Sequence, residues 1–252
     1  MANQTQRPDT ALHNTSHLMQ YHDLIESIVA AMDARDAYTS KHSDRVADMV
    51  LVLATALDLS EDETTLLHMA AHLHDIGKIA VPDSVLRKAG PLTNPEWEEM
   101  RRHPVTGYEI LRKVDDFKEI AVLVRHHHER WDGRGYPDGL RGADIPLGSR
   151  ILAGADSIDA MMSSRSYRPA MTSAACRREI ERNSGIMYDP CVAAAALEHW
   201  DELVSRYAEA DTPQTPYFDR MQLEHTRQAH DYLLTHQGSR ITLPELAARF
   251  HL

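Results

Sequence analysis

Seven side chains in this sequence can be read as one metal site: His42, His74, Asp75, His103, His127, His128 and Asp156. Neutral imidazoles and carboxylates are the ligands that iron, manganese and zinc accept as divalent cations. A set this large can hold more than one ion, and two adjacent ions can activate water against a phosphate ester. The residues lie in short blocks: KHSDRVADMV around His42, HDIGK at 74–78, RRHPVTGYEI around His103, HHERWDGRGYPDG at 127–139 and ADSIDAMMSSRSYRPA at 155–170. The chain has 16 histidines, and a lone histidine is ordinarily a packed or surface residue. That reading covers His13, His17, His68, His199, His225, His230, His236 and His251, which no motif claims, and His72 and His126 are set with them. His74 and Asp75 are neighbours, so on a continuous helix they would point about 100° apart. They can serve one ion only at a helix end, or Asp75 can bridge two ions with its two oxygens. The doublet His127–His128 poses the same problem and favours the same solution.

The elements that must bring these blocks together are helical. Between Tyr21 and Leu57, Leu24, Ile25, Ile28, Val29, Met32, Val46, Met49, Val50 and Leu53 recur at three- and four-residue steps, the spacing of two amphipathic helices broken near Asp36–Ser40. Ser60 with Glu63 forms a capping box that opens the next helix, which HDIGK ends. Thr93 with Glu96, and Pro95 between them, repeats the start signal before a helix carrying His103. Ile120–His128 reads as a helix running into a Gly- and Pro-rich loop at 132–148. Further helices are expected at Leu147–Met162, at about 172–183 and at about 190–207. Period-two alternation is scarce. The expected fold is an all-α bundle whose core gathers ligands from several helices, as bundle metal sites do.

Composition narrows the partners. The chain has 252 residues, 42% of them apolar, and a formal net charge of −11. That charge argues against nonspecific nucleic-acid binding, which calls for a basic face, but not against a small anion drawn to a local cationic cluster. Cys176 and Cys191 are the two cysteines and form no CxxC pair, so a thiolate zinc site and a disulfide framework are not expected. The N-terminus lacks the basic-then-apolar pattern of a signal peptide. No run approaches the roughly 18 apolar residues of a membrane span. A cytoplasmic protein is the expectation.

The ordered series HDIGK, IAVPDSVLRKAGPLT, HHERWDGRGYP, DSIDAMMSSRSYRPA and SGIMYDP resembles the HD-GYP domain, a subgroup of the HD phosphohydrolase superfamily that hydrolyses the bacterial second messenger cyclic di-GMP. The match runs from about residue 21 to 207. The resemblance implies an HD-type bundle with the seven residues as metal ligands, iron or manganese being the expected ions. One division gives His42, His74 and Asp156 to one ion and His103, His127 and His128 to the other, with Asp75 bridging. A water or hydroxide between the ions would then be the nucleophile. In the family pattern Lys78 reaches the substrate phosphate, and Arg165 and Arg168 match two basic positions that meet the dinucleotide's phosphates. Asp159 orients one of these or contacts a guanine. Tyr136, in the Gly135-Tyr136-Pro137 stretch, borders substrate entry. Glu129, Trp131 and Asp132 are read as acceptors behind the metal-bound histidines. Some family members bind a third ion through a glutamate one turn before the first histidine. Tyr38 stands there in this chain, so two divalent ions are expected.

The sequence thus divides into a polar lead at 1–20, a phosphodiesterase domain at 21–207, a linker at 208–216 and a helical tail at 217–252. The tail resembles the opening of a helix-turn-helix, but the sequence stops at Leu252 before a recognition helix. It is expected to pack on the domain or on a second copy, and not to bind DNA. Asp75 and Lys78 carry the expected catalysis, which opens cyclic di-GMP to linear pGpG, with the further step to GMP left open. The alternatives are the same chemistry on pGpG or another cyclic dinucleotide, and a silent dinucleotide receptor.

Overall fold

Val46, Met49, Val50 and Leu53 recur at helical spacing, and in the computed structural model all four are buried, at 0–1% exposure. They belong to α2 (His42–Ala56), which packs against the helix before the HDIGK block and against the one carrying Asp156. The structure describes residues 21–35, 41–163 and 169–208. The chain divides into two compact units, Met1–Ala208 and Glu209–Leu252, and every described residue falls in the first. The expectations for residues 1–20, Tyr38, Arg165, Arg168 and the linker and tail beyond Ala208 lie outside the described residues.

Around α2 the helices run in chain order as α1 (His22–Arg35), α3 (Glu61–Leu73), α4 (Asp83–Leu86), α5 (Asn94–Met100), α6 (His103–Leu111), α7 (Lys118–His126), α8 (Leu147–Met162), α9 (Ser173–Arg182), α10 (Pro190–Glu198) and α11 (Trp200–Ala208). Short 3-10 turns cover Ile76–Ala80, Asp115–Phe117 and Gly142–Asp144. No strand is found among the described residues, only an isolated bridge between Ser184 and Tyr188. No described helix is long and apolar enough to cross a membrane. One continuous apolar core joins Ile25 and Val29 of α1 to Ile120 and Val124 of α7, Ile151, Leu152 and Ile158 of α8, and Trp200 and Leu203 of α11. Each large aliphatic side chain removed from water contributes about 1.5–3 kcal/mol, which is how a set of short helices becomes one frame.

Helix ends follow the capping chemistry of the sequence. The amide of Ser60 donates to Glu63 Oε2 at 2.9 Å, and the Glu63 amide donates back to Ser60 Oγ at 3.3 Å. Thr93 and Glu96 form the second box, with Lys88 Nζ donating to the same Glu96 carboxylate at 2.6 Å. Two spans differ from the sequence reading. The helix opened by Thr93 stops at Met100, and His103 starts α6 with Pro104 in its first turn. Proline has no amide to continue an incoming helix, yet it suits the first turn of a new one. The helix expected over 190–207 is likewise two, parted at His199.

Two contacts fix the segment after HDIGK. At Gly77 a Cβ would lie 1.9 Å from the carbonyl oxygen of His103 and 2.6 Å from the Gly107 amide nitrogen, so only glycine lets this turn lie directly on α6. On its other side Arg35, the last residue of α1, reaches over the turn. Its guanidinium donates to the carbonyls of Lys78 at 3.2 Å, Ile79 at 2.6 Å and Val81 at 2.6 Å, and to Asp83. Arg87 in turn donates to the Arg35 carbonyl. Gly77→Ala is expected to lower unfolding free energy by about 1–3 kcal/mol, read from the urea midpoint. A midpoint equal to that of the unaltered protein would mean that this approach is not a constraint.

Candidate metal centre

Six of the seven candidate ligands sit at or just beyond helix ends, while Asp156 lies inside α8. α3 ends at Leu73, so His74 follows its last turn and Asp75 begins the 3-10 turn. His127 caps the C-terminus of α7, and His103 stands three residues after the end of α5. The last carbonyls of a helix have no amide partner within it, and here three of them are taken by imidazole rings. His74 Nδ1 bonds Ala71 O at 2.7 Å, His103 Nδ1 bonds Met100 O at 2.8 Å, and His127 Nδ1 bonds Val124 O at 2.6 Å. A carbonyl only accepts, so Nδ1 carries the proton in each ring and Nε2 presents its lone pair when the ring is neutral. His42, the first residue of α2, reaches the same state through a carboxylate: its Nδ1 donates to Asp159 Oδ2 at 2.6 Å.

The four Nε2 atoms then face one another. His42 and His74 are 3.2 Å apart, and His103 and His127 are 3.4 Å apart. Asp75 stands between the pairs. Its Oδ2 lies 3.4 Å from His74 Nε2 and 3.8 Å from His42 Nε2, while its Oδ1 lies 3.4 Å from His103 Nε2. Asp156 Oδ1, from α8, is 3.4 Å from His42 Nε2. The ring of His128 lies against those of His103 and His127, with centroids 5.0 and 4.0 Å apart. Three groups emerge among the described residues, the atoms of each within 4.8 Å of one another: His42–His74–Asp75 and His103–His127–His128 within the expected set, and His126–Glu129–Asp138 beside it. All seven residues are thus brought together.

The two groups of the expected set differ in charge. Burial opposes a proton on His74, but Asp75 and Asp156 outweigh it and hold the ring up at about 9. Burial opposes ionisation of Asp75 as well, and Lys78, His74 and His103 reverse it, keeping the carboxyl well below its usual range. In the other group burial dominates. It lowers His103 to about 4 and drives His127 and His128 well below the ordinary imidazole range. Two neutral rings with lone pairs facing at 3.4 Å repel each other unless a cation lies between them. The donor set therefore fits nitrogen- and oxygen-binding divalent ions.

Other expected residues fall around this centre. The ammonium of Lys78 donates to Asp75 Oδ2 at 2.6 Å. The α-helix has given way to a 3-10 turn, whose repeat of three brings Lys78 over Asp75 rather than over His74. Tyr136 stacks on His128, with centroids 4.9 Å apart and planes at 30°; burial, then Asp156 and Asp75, raise its phenol. Asp159, expected to orient an arginine or to contact a guanine, is held from within by its neighbours. At 1% exposure it gives both oxygens to the interior, accepting from His42 and from Arg45 Nε at 2.5 Å and Nη2 at 3.2 Å.

Glu129, Trp131 and Asp132 hold the glycine-rich loop rather than the ligand rings. Glu129 Oε1 accepts from the amides of Asp138 at 2.7 Å and Gly139 at 3.0 Å. Trp131 and Asp132 hydrogen-bond through their backbone amides to Met187 and Ile186. At Gly135 a Cβ would meet the Arg130 amide nitrogen at 2.3 Å, so the loop folds tightly onto its own root. Sequence reasoning missed Arg45, although its place three residues after His42 puts both on one face of α2. Asp159→Ala would leave the partly buried Arg45 without its carboxylate and His42 without its acceptor. A loss of about 3 kcal/mol is expected by chemical denaturation, with Asp159→Asn losing less, and equal stability of all three proteins would contradict it.

Comparison with known proteins places this geometry in context. Residues 24–192 match a protein family described as HD domain. The chain is 44% identical over 175 residues to a cyclic di-GMP phosphodiesterase response regulator of Xanthomonas campestris pv. campestris, a match covering 68% of this chain and 46% of the relative. It is 40% identical over 188 residues to a 3'3'-cGAMP-specific phosphodiesterase of Vibrio cholerae serotype O1, covering 73% and 35%. Against a cyclic di-GMP phosphodiesterase of Thermotoga maritima the figures are 39% over 187 residues, covering 73% and 51%. The chain therefore spans between about a third and a half of these relatives. In fold it is similar to a cyclic GMP-AMP specific phosphodiesterase of V. cholerae, with TM-score 0.57, 21% identity, and 72% of this chain and 49% of that one covered. An HDG"Y"P protein from Bdellovibrio bacteriovorus gives TM-score 0.54 at 17% identity, covering 76% and 69%.

Proposed function

The chain belongs to the HD-domain family, and from that premise we propose that it is a metal-dependent phosphodiesterase opening cyclic di-GMP to linear pGpG. The observation that carries the reading is the position of Asp75. One of its oxygens faces His42 and His74, the other faces His103, which is how a carboxylate shared by two cations must stand. His42, His74 and Asp156 would hold one ion, His103, His127 and His128 the other, with Tyr38 in place of a third-ion glutamate. Divalent ions bound there acidify water and offset the charge that builds on a phosphodiester during its cleavage. The protein's own groups do the rest. The helix-end carbonyls and Asp159 fix the ring tautomers and keep each Nε2 turned inward. Lys78 holds its ammonium beside Asp75, where a non-bridging phosphate oxygen would be met by a charge-assisted hydrogen bond. Arg165 and Arg168 remain the expected further contacts to phosphate.

The relatives named for cyclic di-GMP favour that substrate. Those named for 3'3'-cGAMP support a second reading, the same chemistry on a mixed cyclic dinucleotide. Both ligands share the phosphodiester on which the centre would act.

Digests of the two cyclic dinucleotides, separated by chromatography, test the proposal. Asp75→Ala is expected to lower turnover by more than about a thousandfold, since several kcal/mol of transition-state stabilisation go with the shared carboxylate; undiminished hydrolysis would sink the reading. Chelation should abolish activity, and iron or manganese should restore it. Activity that survives complete removal of divalent ions, verified by elemental analysis, would rule out the metal-dependent reading.

A further inference from the structure

Among the described residues, most cationic side chains near the centre are committed to carboxylates: Lys78 to Asp75, Arg45 to Asp159, Arg125 to Asp138 and Arg130 to Asp132. Arg101 is not. It follows the last residue of α5 and is exposed. Its guanidinium contacts two ring faces, with Cζ 5.9 Å from the centroid of Trp97 one turn earlier and 5.4 Å from that of Tyr136. Tyr136 is itself stacked on His128. A column thus runs outward from the candidate metal centre through His128 and Tyr136 to Arg101 and Trp97. Its outer end is open, Trp97 being 47% exposed.

A guanidinium that lies over aromatic rings still has its N–H donors to offer another partner. Edge donors in a fixed fork match the non-bridging oxygens of a phosphate. A cyclic dinucleotide carries two phosphodiesters, and only one can be at Asp75 during cleavage. The other is an anion that must be accommodated beside the centre, in a chain of net charge −11. We propose that Arg101, backed by Trp97 and Tyr136, binds the second phosphate of the dinucleotide, the one not being cleaved. The inference rests on the phosphodiesterase reading and adds a specificity-determining residue to it. Arg101 separates a dinucleotide from a simple phosphodiester.

Steady-state kinetics on two substrates test it: cyclic di-GMP, and bis(4-nitrophenyl) phosphate, which has a single phosphate. Arg101→Gln keeps the stem and loses the charge. For the dinucleotide its KM is expected to rise tenfold or more, the size of one lost charge-assisted hydrogen bond, with kcat falling far less. The loss in kcat/KM should exceed that on the simple diester by about the same factor, and Arg101→Lys should recover part of it. An unchanged KM for the dinucleotide overturns the proposal. So does an equal loss on both substrates, which would mark Arg101 as a structural prop for Tyr136 and His128. Normal turnover of cyclic di-GMP by both the unaltered protein and Arg101→Gln removes only this inference. Failure of the unaltered protein to bind or cleave any cyclic dinucleotide removes the phosphodiesterase reading and this inference together.

Discussion

The arrangement depends on one local device: a helix that stops leaves carbonyls without partners, and a histidine three residues on takes one of them. It occurs three times, at Ala71–His74, Met100–His103 and Val124–His127. In each case the bond satisfies an orphan acceptor, fixes which nitrogen carries the proton, and turns the other nitrogen inward. The ends of α3, α5 and α7 must therefore meet at one point. Packing around α2 achieves this, because α3 and α8 flank α2 while α6 lies against both α7 and the Ile76–Ala80 turn.

The opposite half of the centre is built differently. His42 opens a helix instead of closing one, so no orphan carbonyl is at hand and a carboxylate on α8 does the work. Asp156 and Asp159, three residues apart on α8, share a face: one turns to the cluster, the other to the back of His42. This carboxylate-rich half favours a positive charge, whereas the half built on His103, His127 and His128 consists of rings that burial keeps neutral. Asp75 joins the two, and Lys78 tempers its charge.

Much of this could be read from residues alone. The adjacency of His74 and Asp75 and of His127 and His128 required helix ends, and both doublets lie at helix ends. Leu147–Met162 and the two capping boxes matched their elements because each carries its own local signal. What could not be read were relations between distant segments. No spacing tells that Asp159 faces His42 across 117 residues. The break before His103 was present in Pro104, but the apolar pattern running through it obscured the stop. Arg101 gave no signal, since its meaning comes from Tyr136, which is remote in sequence and close in space.

Arg35 has a mechanical consequence. Because one guanidinium grips the carbonyls of Lys78, Ile79 and Val81 while Arg87 grips the carbonyl of Arg35 itself, the end of α1 and the turn bearing Lys78 form a single hydrogen-bonded lever. Glycine at position 77 seats the other side of that lever directly on α6. A shift of the first helix along its axis would therefore pull, through the Arg35 guanidinium, on the turn that carries Lys78.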